Sequence, residues 1–445
     1  MLNKQLFILA HEVGCRSFYS DYQKCVKNQW KPYTELKKEQ EKQLRHMVSY
    51  CYENVPYYHN LFTSLKLQPA DIRVIEDLEK LPVLTKEIIR QHWEEFKPGN
   101  LSGLNYYEMA TGGSTGAPFS YRLTKHNRFV FGALMYRGWG YAGYHLGDKM
   151  VFLAGASLDV GTKSRLTTSI HETVRNLRKL SSFDMGEAEM RGYLQTINSF
   201  KPRFIRGYPS SIHSFAQWVD ENNLEIYSPC AVFTTSEKLF PPVRKKISEI
   251  FGCEVYDGYG MTDGGISAFE CPEHTGLHID TELGITEVVG PSGIPIDNGE
   301  GQILATSLHN YALPVIRYVT GDDASITGDS CTCGRGHKLL KEVIGRTVDV
   351  LVTPEGKNVH GWFFLYIFWE HCKGIREYQV VQKTVQEIDI KLVIEDGFDA
   401  AQLEKIRQII STKSKNWRVT FQFVDKIERT RAGKYKFIIN EVKNG

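Results

Sequence analysis

The sequence predicts a chain of mixed α/β and α+β construction, and three observations lead there. Helical and strand-like patterns alternate through the middle of the chain, which calls for α/β layers built on parallel strands. Around residue 280 this gives way to short apolar runs separated by glycine, the texture of a small β-rich subdomain. Beyond that, the chain runs through a strand–strand–helix–strand order of its own. We place a large N-terminal domain at 1–345, with the β-rich subdomain at about 265–340, and a small C-terminal α+β domain at 346–445.

Each element rests on a local pattern. After Pro32, residues 33–60 carry Leu36, Leu44, Met47, Val48 and Cys51 at helical spacing, opposite a solvated face rich in lysine and glutamate. A second helix is expected over 125–144 and a short apolar strand over 150–156. Residues 186–199 form a helix that stops before Lys201-Pro202, and 202–207 follow as a strand. The order repeats: 241–252 is a helix ending at Gly252, and 253–260 is one strand leaving through glycines. Strands follow at 284–290, 301–308 and 314–322. In the last domain 377–382 and 387–394 are paired strands, 399–410 is a helix with Asp399 as N-cap, and 417–424 is a strand. The boundary near 345 is no Pro/Ser linker, so any hinge there is short.

Composition bounds the class without naming a function. With 445 residues, 42% hydrophobic and 24% charged, disordered, collagen-like and coiled-coil chains are excluded. A formal charge of +2 supplies no overall field for a polyanion, so no nucleic-acid partner is expected. Nine cysteines in a chain this long are no disulfide framework and point to a reducing compartment. The apolar patch Leu6 to Ala10 is no signal-peptide core, and no stretch approaches the roughly 18–20 apolar residues of a membrane span. The expectation is a cytoplasmic protein, with an interfacial N-terminal helix as the alternative.

Several segments could carry chemistry. Thr111-Gly-Gly-Ser-Thr-Gly-Ala-Pro118 offers backbone N–H groups and hydroxyls to phosphate oxygens, although it lacks the spacing and Lys-Ser/Thr of a Walker A loop. Taken alone, a polar turn accounts for it as well. Tyr256-Asp-Gly-Tyr-Gly-Met-Thr-Asp263 leaves the end of a strand, where open α/β sheets bind ligands. Its aromatic rings suit a base, its threonine a phosphate, and its aspartate Mg²⁺. Asp322, in Tyr318-Val-Thr-Gly-Asp322, can accept both hydroxyls of a ribose, and Arg346 adds a fork of donors. Lys434 ends Arg429-Thr-Arg-Ala-Gly-Lys434, which by itself reads as an exposed turn.

Together and in this order, the segments resemble the adenylate-forming enzyme superfamily. Within it the chain is most similar to the phenylacetate–coenzyme A ligase family, especially its capsule-polysaccharide-biosynthesis branch. ENVPYYHNLF, RGYPSSI at 206–212, TTSEKL at 234–239 and RAGKYKFII at 431–439 fit that branch. The resemblance implies the adenylate-forming fold with a mobile C-terminal domain, ATP and Mg²⁺ as cofactors, and a small-molecule carboxylate as substrate. The carboxylate becomes acyl-AMP with release of pyrophosphate, then passes to an acceptor, coenzyme A by that resemblance. An amine or hydroxyl acceptor in capsule or polysaccharide synthesis is the alternative, and a catalytically silent nucleotide-binding protein is another. The resemblance also allows a homodimer.

Roles follow residue by residue from the same resemblance. Thr111, Gly112, Gly113, Ser114, Thr115 and Gly116 would wrap the ATP phosphates. Ser236, Glu237 and Lys238 with Asp257, Gly258 and Tyr259 would frame the adenine, and Gly260 and Met261 complete that segment. Thr262 would touch the α-phosphate, Asp263 would stand at the Mg²⁺ position, and Asp322 would bind the ribose beside Arg346. Lys434 would bridge the carboxylate and the α-phosphate. The chain departs from the pattern at Ala117, where many relatives have lysine, at Asp263 in place of glutamate, and at Val348 in the hinge.

A second constellation is Cys271, His278, Cys331 and Cys333, a C-x₆-H pair and a C-x-C pair. Three thiolates and an imidazole suit tetrahedral Zn²⁺ with no open position, a structural site. His274 and His337 compete with His278 for the fourth place. Incidental cysteines are the plain alternative, and capsule-branch relatives carry a similar set.

Overall fold

The computed structural model describes residues 2–110, 119–155, 172–182, 185–346, 350–360, 363–364, 367–368, 372–395, 397–429 and 435–442. It divides into two compact units, Met1–Ile344 and Gly345–Gly445.

Two short helices open the chain, α1 (Leu2–Glu12) and α2 (Phe18–Asn28). The single helix expected over 33–60 is two, α3 (Tyr33–Asn54) and α4 (Pro56–Ser64). Val55 breaks it: the residue before a proline avoids helical geometry, and Val55 is extended at φ −113°, ψ 108°, with Pro56 starting the next helix. Helix α3 buries Leu36, Gln40, Leu44, Met47, Val48 and Cys51. After α5 (Lys86–Gln91), capped by the Thr85 hydroxyl, comes an antiparallel pair, β1 (Tyr106–Ala110) and β2 (Ser120–Thr124). Helix α6 (Lys125–Gly140) ends earlier than expected, because the chain turns through Gly143 at φ +84°.

A five-stranded parallel sheet follows. Its elements in chain order are β3 (Met150–Ala154), β4 (Leu177–Ser181), α7 (Glu187–Phe200), β5 (Phe204–Gly207), α8 (Pro209–Glu221), β6 (Ala231–Thr234), α9 (Pro241–Phe251) and β7 (Glu254–Tyr256). The strand order is β4-β3-β5-β6-β7. Short apolar runs between helices become fully buried strands, as parallel sheets require. Tyr136 and Trp139 of α6 pack in one core with Phe204, Phe233 and Tyr256 of the sheet. Gly207 must be glycine: a Cβ there would lie 2.1 Å from the carbonyl oxygen of Leu153.

The expected strand over 253–260 is two strands in two sheets. At Asp257 the chain leaves β7 and enters β8 (Gly258–Met261) of a seven-stranded sheet. Its other members are β9 (Ile266–Glu270), β10 (Leu277–Ile279), β11 (Gly284–Val289), β12 (Gly299–Ser307), β13 (Tyr318–Thr327) and β14 (Leu339–Arg346), in the order β11-β12-β13-β14-β10-β9-β8. Ile266, Ile285, Val288, Ile303 and Ala324 share a core with Leu44, Met47 and Val48 of α3. That burial explains why the apolar face of α3 keeps its helical period.

In the second unit a hairpin, β15 (Val350–Val352) and β16 (Asn358–His360), precedes β17 (Ile375–Gln382), β18 (Glu387–Ile394), α10 (Ala401–Ser411), β19 (Arg418–Phe423) and β20 (Ile438–Asn440). The last sheet runs β19-β18-β17-β20, with β17 and β18 antiparallel. Ile406 and Ile410 of α10 pack on Val380, Ile388, Ile390 and Leu392. Asp399 stands one residue outside the N-cap Ala400, and its Oδ1 accepts from the Ala401 N–H at 2.9 Å. Among the described residues, no helix is long and apolar enough to cross a membrane.

Candidate functional site

The hairpin between β8 and β9 presents Thr262 and Asp263. It is a tight turn: the Gly265 N–H bonds the Met261 carbonyl at 2.9 Å, and Gly265 sits at φ +68° with Ser307 packed below it. Only glycine holds that conformation without cost. The Thr262 hydroxyl meets the Tyr121 phenol of β2 at 2.8 Å. Asp263 is buried, and its Oδ2 accepts from the Tyr318 phenol of β13 at 3.0 Å. Four residues on, Asp322 accepts from the Tyr259 phenol at 2.9 Å. Gly321 at φ +82° shapes that segment, and the Thr320 hydroxyl accepts from the Asp322 N–H at 3.1 Å.

The turn after β8 and strand β13 thus bring Thr262, Asp263, Tyr259, Tyr318 and Asp322 together. Burial pushes the Tyr121 phenol up to about 12, Thr262 opposing. Burial and the neighbouring Asp322 carboxylate raise Tyr259 well above the ordinary phenol range. Tyr259 remains a donor at neutral pH, so the Asp322 carboxylate is oriented while keeping lone pairs for a ligand.

The carboxyl end of the parallel sheet supplies a second group. Thr234 ends β6, and its hydroxyl donates to Asp257 Oδ1 at 2.7 Å. The Asp257 N–H donates to Glu270 Oε2 at 2.7 Å. Burial lifts the Asp257 carboxyl to about 6, against the Thr234 hydrogen bond. Ser236 takes a left-handed φ of 70°, Glu237 accepts from the Ser210 N–H at 3.1 Å, and Lys238 pairs with Glu342 at 2.7 Å. Gly258 and Gly260 approach Phe269 and Phe131 so closely that a Cβ would sit 3.1 and 3.0 Å from their rings. Met261 is buried. Thr111, Gly112, Gly113, Ser114, Thr115 and Gly116, and Lys434, lie outside the described residues, as does the side chain of Arg346.

The cysteine and histidine set converges. Ligand atoms of Cys271, His278, Cys331 and Cys333 lie within 4.8 Å of one another. Cys271 Sγ is 3.6 Å from Cys331 Sγ, and Cys333 Sγ is 3.4 Å from His278 Nε2. Zinc bond lengths of about 2.0–2.3 Å in a tetrahedron give ligand–ligand edges of about 3.5–3.8 Å, close to these two separations, so the donor types and their convergence suit that ion. His278 reaches the sulfurs from β10. His274 instead contacts Glu270 at 3.1 Å, and His337 lies behind His278 with ring centroids 6.0 Å apart.

Beneath this cluster runs a buried ionic network that the sequence patterns do not reveal. Arg137 of α6 pairs with Asp280 and, at 2.9 Å, with Glu282. Against the desolvation that burial imposes, its guanidinium holds Glu282 well below the usual carboxylate range. Ser267 donates to Asp280 at 2.5 Å, and Tyr141 packs edge-on to His278. The network ties α6 to the strand that carries His278. Its only sequence signal is a charge inside the otherwise apolar GALMYRGWGYAGY.

Comparison with known proteins agrees with this architecture. Residues 351–441 match the family model of the CapK C-terminal domain. The chain is 28% identical to a phenylacetate–coenzyme A ligase of Thermus thermophilus over 389 residues, covering 82% of this chain and 83% of that one. It is 24% identical to protein CapK of Staphylococcus aureus, covering 91% and 89%. A crystal structure of 2-hydroxyisobutyryl-CoA ligase, in the postadenylation state with an acyl-AMP ligand, superposes with a TM-score of 0.73 at 19% identity. The match spans 93% of this chain and 91% of that chain, which shows a shared fold.

Proposed function

We propose that this chain, a relative of the phenylacetate–coenzyme A ligases and of CapK, is an ATP-dependent, AMP-forming carboxylate ligase. What carries the reading is the turn that sets Thr262 and Asp263 beside Tyr318, with Asp322 of β13 hydrogen-bonded to Tyr259 of β8. A carboxylate oxygen of the substrate attacks the α-phosphorus of ATP. The new P–O bond forms as the bond to the bridging oxygen breaks, and pyrophosphate leaves with that electron pair. The acceptor then attacks the acyl carbon, the carbon–oxygen bond to AMP breaks, and the acceptor's proton goes to solvent.

Two anions must meet in the first step, so the barrier is electrostatic and positional. Thr262 would donate to the α-phosphate, and Asp322 would accept the ribose hydroxyls while Tyr259 fixes its orientation. Ser236, Glu237, Lys238 and the segment Asp257 to Met261 would line the base, and residues 111–116 the phosphates. Asp263, a buried carboxylate oriented by Tyr318, would hold Mg²⁺, which when bound neutralises phosphate charge. Arg346 and Lys434 complete the proposed set from the end of β14 and the C-terminal unit. Cys271, His278, Cys331 and Cys333 would hold a structural Zn²⁺ with every position filled. A cytoplasmic setting fits free thiols of this kind.

Similarity to the Thermus ligase supports coenzyme A as acceptor. The CapK match supports a second reading, in which an amine or hydroxyl of a capsule precursor takes the acyl group. The test is exchange of labelled pyrophosphate into ATP across aryl, alkyl and amino-acid carboxylates. Exchange that depends on one class of acid is expected. No exchange with any acid would instead favour a catalytically silent nucleotide-binding protein.

A further inference from the structure

Arg206 is a buried cation that no carboxylate among the described residues pairs with. It stands in β5, where the register sets it between Phe152 of β3 and Phe233 of β6. Trp139 of α6 covers it at 4.8 Å from ring centroid to guanidinium, and Phe152 lies at 5.5 Å. The residue is 8% exposed. Among the described residues its guanidinium makes no ion pair and no hydrogen bond, and none of its nitrogens is sealed from solvent. Burial pushes its pKa down to about 10, with the phenols of Tyr136 and Tyr208 opposing. Arg137, buried still more deeply, is by contrast paired with two carboxylates.

Removing a guanidinium from water is costly, and stacking on aromatic rings offsets only part of that. The position suggests where the remainder comes from. Trp139 and Phe233 also wall a small cavity that reaches Asp257 and Gly258, residues of the proposed nucleotide site. Arg206 thus stacks on a ring, Trp139, that borders this cavity, near the carboxyl ends of the parallel strands.

We infer that Arg206 is a specificity-determining residue that binds a second anionic oxygen group on the acyl substrate. The substrate class is then a carboxylic acid bearing another carboxylate, or a comparable planar anion, beyond the one activated. The second group is favoured over the reacting carboxylate for a reason of energetics. A guanidinium forked onto the reacting oxygens would stabilise the ground state and oppose attack, whereas one on a distant group binds ground and transition states alike. Trp139, Phe152 and Phe233 would line the apolar stem between the two ends.

The inference rests on the adenylation reading, and its test is arranged to fail separately. Matched acids are titrated calorimetrically without ATP: adipate against hexanoate, and 4-carboxyphenylacetate against phenylacetate. Each pair is run on the full chain, Arg206→Met, Arg206→Gln and Arg206→Lys. The full chain should bind at least one diacid about tenfold or more tightly than its partner, the scale of a charge-assisted fork. Arg206→Met and Arg206→Gln should bring that ratio near one, and Arg206→Lys should keep part of it. If Arg206→Met does not fold, the Arg206→Gln ratio decides. A ratio near one in the full chain for every pair, or one unchanged in the neutral variants, overturns the inference. Absence of pyrophosphate exchange with every acid would count against the adenylation reading alone.

Discussion

Lys434→Ala is expected to lower carboxylate-dependent pyrophosphate exchange by orders of magnitude while sparing acyl transfer from a supplied acyl-adenylate. The expected loss is about 10²–10³-fold, the size seen when one preorganised donor to a developing charge is removed. The asymmetry follows from the two half-reactions. In the first, a carboxylate approaches an anionic phosphate, and a cation that bridges both removes their repulsion. In the second, a nucleophile attacks a carbonyl already activated by its AMP leaving group, and no such bridge is needed. Exchange and transfer rates of the same preparation check this. Survival of both, or equal loss of both with unchanged folding, would place the cation elsewhere.

The largest expected effect on stability comes from the cysteine cluster. Purified protein should contain about one zinc per chain, by the stoichiometry of a four-donor structural site. The double change Cys331→Ser, Cys333→Ser removes two of the four donors and should eject it. Loss of a structural metal belongs among the largest single-site effects, about 4 kcal/mol or more. Here the loss would spread, because His278 lies two residues from Asp280, whose pairing with Arg137 anchors α6 to the β10 strand. Elemental analysis with urea midpoints of both proteins decides the matter. A full chain that holds no metal, with the variant equally stable, would mean four incidental side chains.

Of the parallel strands, β3, β5 and β7 were legible as short runs bounded by glycine, proline or a helix end, whereas β4, Leu177-Arg-Lys-Leu-Ser181, carries two charges that hide its strand pattern, and β6 is likewise missed. The break at Val55 follows from Pro56 and could have been read. The sheet switch at Asp257 could not. Tyr256-Asp-Gly-Tyr-Gly continues a strand pattern without interruption, and only packing of Gly258 against Phe269 reveals that the chain has changed sheets. The chemical segments were visible as residue types, but their partners were not. Tyr121 meets Thr262 across 141 positions, and Arg137 meets Asp280 across 143. No local period reports contacts of that range. The same limit separated the three candidate histidines, since strand register, not spacing, brings His278 rather than His274 or His337 to the sulfurs. Arg137 is a lone charge in an apolar run, a signal that marks a position without saying what faces it, and Arg206, close to Lys201 and Arg203, lacks even that signal.

The central claim is that a substrate carboxylate oxygen attacks the α-phosphorus of ATP. Its most direct test is oxygen transfer from a carboxylate labelled with oxygen-18, followed by mass spectrometry of the nucleotide and phosphate products. The account predicts one labelled oxygen in AMP and none in pyrophosphate. Label in inorganic phosphate alongside ADP would mean attack at the terminal phosphorus and an acyl-phosphate route, and would contradict it.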